Sequence, residues 1–291
     1  MFGDLFSIIA PVFICAGIGF VWQKQGRPYD TDLITTLITN IGTPALVFFT
    51  LYNGDLKIAD FGVMALASVL AIGGAGIVGG LILKAAGLSY RSYLPSLMFA
   101  NSGNMGLPLC LLAFGEAGLA LAIVFFTVSA IQQFTIGVAL SSGSFSPGRL
   151  LRVPIIYAVL LAVVFMVADL KAPDVVVNTA RILGGMTIPM MLITLGVSLA
   201  KLKVSSLNRS VGLSVLRLGL GVAVGWLVAQ GLGFTGVERG VLILQSAMPV
   251  AVFNYLFAQR YNTEPEEVAG IVVLSTTLSF ATLPALLWFV L

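Results

Sequence analysis

Asparagine, glycine and proline interrupt two strongly apolar stretches of this chain, and they are the residues best placed to do chemistry. The first stretch reads Asn-Ser-Gly-Asn-Met-Gly-Leu-Pro over residues 101–108, and the second carries Gln245, Ser246, Pro249 and Asn254. Proline removes one backbone hydrogen bond and clashes with the preceding helical turn, and asparagine and glycine are weak helix formers. Both stretches are therefore predicted to be broken helices, with the first unwound across residues 101–108.

The N-terminus of a half-helix has unpaired N–H groups and the positive end of the helix dipole, both of which attract anions. Side-chain amides near the break can orient such an anion, or they can replace missing backbone partners in a kink that binds nothing. The residues predicted to contact substrate are Asn101, Asn104, Gln245, Asn254 and Arg217. Those predicted to form the helix breaks are Gly103, Gly106, Pro108, Met248 and Pro249.

The amino-acid composition predicts the kind of structure that holds these residues. Of 291 residues, 58% are hydrophobic and 9% are charged, whereas soluble domains carry about 25% charged residues. This composition excludes a soluble enzyme and a disordered chain, and the net charge of +3 is too small to indicate a nucleic-acid partner. The chain is predicted to be an all-α polytopic membrane protein.

Ten apolar stretches are each close to the roughly 20 residues that a membrane-spanning helix needs. They are Asp4–Trp22, Asp32–Tyr52, Phe61–Leu83, Ser92–Phe114, Gly118–Leu140, Val153–Leu170, Val176–Ala200, Ser210–Gly231, Val237–Arg260 and Pro265–Phe289. The second stretch resembles the seventh and the fourth resembles the ninth, with prolines at matching positions. This pattern predicts two inverted repeats of five helices, residues 1–141 and 150–291, joined near Ser141–Arg149. Inverted repeats with broken helices in corresponding positions are typical of secondary transporters.

Lysine and arginine predict the orientation, because cytoplasmic loops are enriched in them. The loops after odd-numbered helices contain Lys24, Arg27, Lys84, Arg91, Arg149, Arg152, Lys201, Lys203, Arg209 and Arg260. The loops after even-numbered helices contain Lys57, Lys171, Arg181 and Arg239. The odd loops are therefore predicted to be cytoplasmic, with both termini outside.

Arg217 is the one ionisable side chain predicted within a span, and such residues are functional candidates. It could be a counter-charge for an anionic substrate, reach the membrane interface, or bind a backbone carbonyl. No carboxylate is predicted at mid-span, Glu116 lies between the fourth and fifth helices, and histidine is absent. Proton antiport therefore lacks an obvious carrier residue, and no hydrolytic dyad is assembled.

Neutral oxygens offer a second kind of site, since hard cations accept such ligands. Sodium is the coupling ion that they would suit, although hydrogen bonds between helices explain the same residues. The candidates in the fifth helix are Thr127, Ser129, Gln132 and Gln133. With no histidine and with Cys15 and Cys110 far apart in apolar runs, no metal centre or cofactor is expected.

Three runs resemble the auxin efflux carrier family, which includes plant auxin transporters and many bacterial permeases: NSGNMGLPL, GMTIPMMLITLGVSLAK and LQSAMPVAVFNYLFAQRYN. The resemblance implies a fold similar to the bile acid/sodium symporters, in which the fourth and ninth helices cross at their breaks. It places Asn101, Pro108 and Pro249 at the crossing. It also implies a transport domain of helices 3–5 and 8–10 and a scaffold of helices 1, 2, 6 and 7.

Because this chain departs from the family's plant members in two respects, the resemblance does not imply auxin as the substrate. The long cytoplasmic loop after the fifth helix is reduced to Ser141–Arg149, and Asn254 stands where plant members tend to have a second proline.

The combined expectation is a secondary active or facilitative transporter of small organic anions, auxin-like carboxylates among them. It would work by alternating access in a bacterial inner membrane. Its partners would be the lipid bilayer, the substrate and a second copy bound through the scaffold helices. The alternatives are a sodium-coupled symporter of dicarboxylates, and a channel or non-transporting sensor of the same fold.

Overall fold

The described residues form helices and no sheet. The computed structural model describes residues 2–54, 57–145, 148, 153–168, 170–202 and 206–291. Its α-helices are α1 Phe2–Lys24, α2 Thr31–Leu37, α3 Thr43–Asn53, α4 Ile58–Ala85, α5 Tyr90–Met98, α6 Leu107–Gln132, α7 Val138–Ser142, α8 Pro154–Val167, α9 Asp174–Gly185, α10 Thr187–Lys201, α11 Leu207–Gly231, α12 Gly236–Ser246, α13 Val252–Tyr261 and α14 Pro265–Val290. Three π-helical turns, Ile38–Gly42, Ser102–Gly106 and Gln133–Gly137, connect some of them.

Apart from two helix breaks, the described residues of the ten predicted apolar stretches are almost all helical, and the prediction of an all-α polytopic membrane protein is confirmed. Seven helical stretches of the described chain are long and apolar enough to cross a bilayer. One of these, Ser102–Ser142, has 41 residues, about twice the length that one crossing needs. Two predicted spans fall outside the seven: α8 is short, and the break between α12 and α13 divides the other. The count of ten crossings stays a prediction.

The long stretch reverses direction at Gly115, the point predicted to separate the fourth and fifth spans. Gly115 has φ 66° and ψ −158°, a conformation that is essentially restricted to glycine. The two arms then run side by side, because Gly103 packs directly against the ring of Phe126. A straight helix would separate these residues by about 34 Å at 1.5 Å per residue.

The first helix break is shorter than predicted and lies earlier in the chain. Only Phe99–Asn101 is non-helical, and the helix resumes as a π-turn from Ser102. Pro108 therefore lies in the first turn of α6 rather than in the break, as a correction to the unwinding predicted across residues 101–108. Pro108 is the seventh residue of the helical run that begins at Ser102, so its missing N–H removes one backbone bond inside that run without ending it.

The second break, Ala247–Ala251, separates α12 from α13 and contains Pro249. Pro249 lies at the centre of this non-helical segment. Together the two breaks leave four half-helix ends near the middle of the bundle.

The helices pack in two groups. The first packing group comprises α1, α2, α3, α8, α9 and α10; the second comprises α4–α7 and α11–α14. Contacts are dense within each group and sparser between them. Glycine permits the closest approach in the first group, where Gly196 and Gly19 let the backbones of α10 and α1 touch.

The junction predicted between the two repeats lies largely outside the described residues, as do Arg149, Arg152 and Lys203 of the orientation argument. Both chain ends lie at the same end of the bundle, because Leu5 near the start of α1 and Trp288 near the end of α14 line one apolar groove. The inverted repeat itself stays a prediction.

Candidate functional site

The two broken helices are joined where they cross by main-chain hydrogen bonds. The Asn101 N–H donates to the Pro249 carbonyl at 2.7 Å, and the Ala251 N–H donates to the Phe99 carbonyl at 3.2 Å. Ala100 and Val250 thereby form an antiparallel β-bridge. Non-helical backbone is tolerated at membrane depth only where protein or water satisfies it, and each break here satisfies the other.

A cavity of about 80 Å³ lies beside this bridge, between the two packing groups. A single water needs roughly 10–15 Å³ by a comparable measure, so the space admits more than one water. The first group contributes Thr35, Ile38, Thr39, Thr43, Val153, Pro154, Ile155, Met191 and Thr194. The second group contributes Ala100, Asn101, Ser102, Gly103, Asn104, Phe126, Ser129, Ala130, Gln133, Phe134, Ala251, Val252 and Phe253.

Two half-helices begin at the wall of this cavity. One starts with the π-turn at Ser102 and continues into α6, and the other is α13, which starts at Val252. The first N–H groups of a helix have no partner inside it, and the positive dipole end lies there. Among the described residues, none that lines the cavity carries a charge. The cavity is therefore suited to an anion.

Asn101 and Asn104 both line the cavity, as predicted for substrate-contacting residues. The Asn101 side chain is 4% exposed, and its Nδ2 has no hydrogen-bond partner among the described residues. A buried amide without a partner costs free energy, which a bound ligand or water would recover. Asn101 is therefore the strongest side-chain candidate for contacting a ligand.

Asn254 does not line the cavity and instead holds the crossing together. Its Nδ2 donates to the Phe99 carbonyl at 3.1 Å, and its Oδ1 accepts from Gln133 Nε2 at 3.1 Å. One amide thus satisfies a carbonyl freed by the first break and links α13 to the π-turn that contains Gln133. The amides were expected either to orient a substrate or to replace a missing backbone partner, and in the structure Asn254 does the second.

Gln245 and Gly106 pack against each other next to the crossing, and Met248 lies in the second break. Gln245 and Met248 are fully buried and lie outside the cavity wall. The Gln245 amide packs directly against Gly106, which has no side chain to exclude it. This contact brings α12 and α6 together next to their breaks.

Arg217 also lies outside the cavity. Its side chain is 1% exposed, so it does not reach the membrane interface, and its Nη2 donates to the Ser246 carbonyl at 2.9 Å. Ser246 is the last residue of α12. The guanidinium is therefore placed at the negative end of a half-helix, where a cation is stabilising. It also borders a void of about 10 Å³, room for about one water.

The predicted ion-site residues separate into two pairs. Ser129 and Gln133, four residues apart on one helix face, line the cavity. Thr127 bonds its own helix, with Oγ1 donating to the Ile123 carbonyl at 2.8 Å, and Gln132 lies outside the cavity wall. The four residues therefore do not meet at one point.

Comparison of the sequence with known proteins shows to which family the chain belongs. The family model described as "Membrane transport protein" matches residues 138–288. This chain belongs to that family of membrane transport proteins, the family of the auxin efflux carriers. It is accordingly an integral membrane protein, and the resemblance drawn from its sequence is confirmed.

Individual relatives agree with the family assignment. An uncharacterized transporter of Methanothermobacter thermautotrophicus is 29% identical over 96% of each chain. Another, of Methanocaldococcus jannaschii, is 22% identical over 97% of each chain. Auxin efflux carrier component 1 of Arabidopsis thaliana is 26% identical over 47% of this chain and 22% of its own length.

The first packing group of this membrane transport protein contributes a threonine-lined wall that was not predicted from the sequence. Thr35, Thr39 and Thr43 recur every fourth residue and line the cavity together with Thr194. Their four-residue spacing places them on one face of a helix, which is the feature of the sequence that could have indicated this wall. Threonine in a membrane span commonly donates to a carbonyl of its own helix, so the spacing alone does not indicate a site. Thr194 Oγ1 is paired with the Tyr29 hydroxyl at 2.7 Å, and burial raises the pKa of Tyr29.

Three phenylalanines form an apolar part of the wall and were also missed. Phe126, Phe134 and Phe253 line the cavity, and the rings of Phe134 and Phe253 meet edge to face with centroids 5.5 Å apart. The cavity thus combines helix N-termini and amides with an aromatic surface. This pairing suits a ligand with a charged end and an apolar body.

A vestibule of about 300 Å³ adjoins the cavity on one side and shares Thr39, Phe134, Val153 and Pro154 with it. Its other lining residues include Arg260 and Tyr261 at the end of α13. Arg260, which the sequence places in a loop predicted to be cytoplasmic, borders the vestibule. Glu116 is exposed beside Gly115, in keeping with its predicted place between two helices.

Proposed function

We propose that this protein is a secondary transporter, active or facilitative, that carries small organic anions across a bacterial inner membrane by alternating access. The observation that carries the proposal is the cavity at the crossing, bordered by the N-termini of two half-helices and by the unpartnered amide of Asn101. Helix N-termini attract carboxylates, and broken helices in matching halves are the usual substrate sites of secondary transporters.

Alternating access is supported by the position of the cavity between the two packing groups. Both groups contribute to its wall, and the vestibule adjoins it on the side of Arg260. Movement of the second group along the first would close this route and open another. In the predicted orientation the vestibule faces the cytoplasm, and the first group would be the scaffold, through which two copies would pair.

Sodium-coupled uptake of dicarboxylates is the second candidate. Ser129 and Gln133 place neutral oxygens in the cavity wall, which is the ligand type that a hard cation accepts. A sodium ion bound there would add positive charge to a site already suited to anions.

The experiment is charge movement measured on a solid-supported membrane with purified protein in liposomes. The probes are pairs of carboxylates of equal carbon number, butyrate with succinate and propionate with malonate, together with indole-3-acetate, each with and without sodium. A saturable current, or saturable radiolabel exchange where no current flows, supports the proposal. A sodium requirement would favour the second candidate. Neither current nor exchange with any probe would overturn organic anions as the substrate class.

Asn101→Ala tests the site itself. We expect at least a tenfold loss of apparent affinity, because the amide that faces the cavity is removed. The matched control is Asn53→Ala, since Asn53 Nδ2 bonds the Phe49 carbonyl of its own helix at an exposed position. Unchanged affinity in the Asn101 variant would remove Asn101 from the binding site.

A further inference from the structure

The four half-helix ends at the crossing nearly cancel one another electrically. Helices α5 and α12 end there, at Met98 and Ser246, and present negative dipole ends. The π-turn from Ser102 and helix α13 begin there and present positive dipole ends. Each end is equivalent to roughly half an elementary charge. Two negative and two positive ends therefore sum to about zero, before any side chain is added.

Arg217 adds one full positive charge to this balance. Among the described residues, Arg217 is the one charged side chain in the buried interior of the protein. Its guanidinium stays protonated in proteins and, among the described residues, it has no carboxylate within ion-pair distance. Its partner is the Ser246 carbonyl, at the end of α12.

The position of Arg217 in the fold places its charge where it can move within the membrane field. It lies on α11 in the second packing group, about 15 Å along the helix from Leu207 by the helical rise, which is close to half the hydrocarbon thickness. The other described cations of that group lie at helix ends, as Arg209 does, where Glu267 pairs with it at 3.5 Å. When the second group moves, Arg217 is the charge that moves through the membrane field.

We propose that the second packing group, when its cavity is empty, carries one net positive charge through the membrane field, supplied by Arg217, and that the transported species is a monovalent carboxylate that neutralises this charge. This inference rests on the proposed function and specifies its substrate class. The group loaded with a monocarboxylate moves no net charge, and the empty group moves one positive charge on its return. A dicarboxylate would leave one negative charge in the loaded group and would be moved more slowly against an opposing potential.

The test is homoexchange of radiolabelled butyrate and of succinate in proteoliposomes, with the membrane potential set by potassium and valinomycin. We expect butyrate exchange in the wild-type protein to be unchanged between 0 and −100 mV, because exchange uses only the loaded group. We expect net butyrate uptake to depend on voltage, because it requires the empty return. Voltage-dependent butyrate exchange would overturn the proposal, whereas absence of all exchange would overturn the proposed function instead.

Arg217→Met and Arg217→Lys separate charge from packing. We expect butyrate exchange by Arg217→Met to change by about twofold or more per 100 mV, since the loaded group would then carry one negative charge. Arg217→Lys keeps the charge and should remain independent of voltage. The control is Arg239→Gln, which removes a cation at the far end of α12, where Arg239 stacks on Phe289.

Voltage-independent exchange in Arg217→Met would overturn the role given to Arg217. If that variant does not fold, the comparison of butyrate with succinate in the wild-type protein still decides the matter. Equal voltage dependence of the two probes contradicts a site balanced for one negative charge.

Discussion

The Asn254 side chain donates a hydrogen bond at the crossing of the kind that a backbone amide donates inside a helix. It donates to the Phe99 carbonyl, which the break has left without its helical partner, and it accepts from Gln133. Because it is 3% exposed, neither bond can be exchanged for water without opening the crossing. Asparagine at this position thus has a structural explanation that needs no substrate.

Replacing Asn254 tests that role. In Asn254→Ala the Gln133 amide loses its partner at a cost of about 1–3 kcal/mol, and the Phe99 carbonyl keeps only its bond from the Ala251 N–H. We expect a lower thermal unfolding temperature in detergent and a transport rate reduced at least tenfold at saturating substrate. In the double variant with Gln133→Leu we expect part of the lost stability to return, because one unpaired group is removed. Strictly additive effects of the two substitutions would contradict the bond between them.

Gly106 is a second position at the crossing where the addition of one carbon atom is expected to lower stability. A methyl group there would overlap the Gln245 amide, and overpacking of this kind costs about 1–3 kcal/mol. We expect Gly106→Ala to lower the thermal unfolding temperature and to reduce transport. Gly73→Ala on α4 is the matched control, because nothing lies within 4 Å of the added carbon. Equal stability of the two variants would show that the Gln245 contact is not tight.

At the scale of elements, the sequence predicts that helices are interrupted, but it does not predict which residues of other helices pack around the interruptions. The reversal between Phe114 and Gly118 and the break around Pro249 follow from glycine and proline, whose effects on the backbone are local. The position of the first break was predicted wrongly because the helix resumes at Ser102 and continues through Pro108, although proline removes one of its backbone hydrogen bonds. The threonine and phenylalanine walls were missed because helix packing, rather than local sequence, places them at the cavity.

Gly115 allows α6 to double back with a single residue. An alanine at φ 66° and ψ −158° is strained by about 1–3 kcal/mol or more. We expect Gly115→Ala to lower the thermal unfolding temperature although nothing lies within 4 Å of the added carbon, so the cost is conformational. Gly62→Ala, also in open space but without the unusual backbone, should be neutral or slightly stabilising. A neutral Gly115→Ala would mean that the reversal does not need this conformation.

At the scale of the whole molecule, a vestibule adjoins the cavity on the side of Arg260. Thr39 lines both the cavity and the vestibule, whereas Asn53 lies fourteen residues further along the chain, about 21 Å by the helical rise. The two residues therefore report on opposite faces of the bundle.

Cysteine labelling measures that asymmetry. In a background lacking Cys15 and Cys110, we expect Thr39→Cys to react with a membrane-impermeant maleimide added on one side of the membrane and Asn53→Cys to react from the other. A transported anion should slow labelling at residue 39 and leave residue 53 unaffected. Labelling of residue 39 with equal rates from both sides, with or without substrate, would indicate a channel instead of a carrier.

The bridge between Ala100 and Val250 has a consequence for how such proteins diverge. Its hydrogen bonds join main-chain atoms, so many side chains are compatible with it. The residues around it that face the cavity, such as Phe126 and Thr39, are free to change without weakening the joint. Substitutions in the cavity wall can therefore alter which cargo is accepted while the main-chain joint between the two helices is kept.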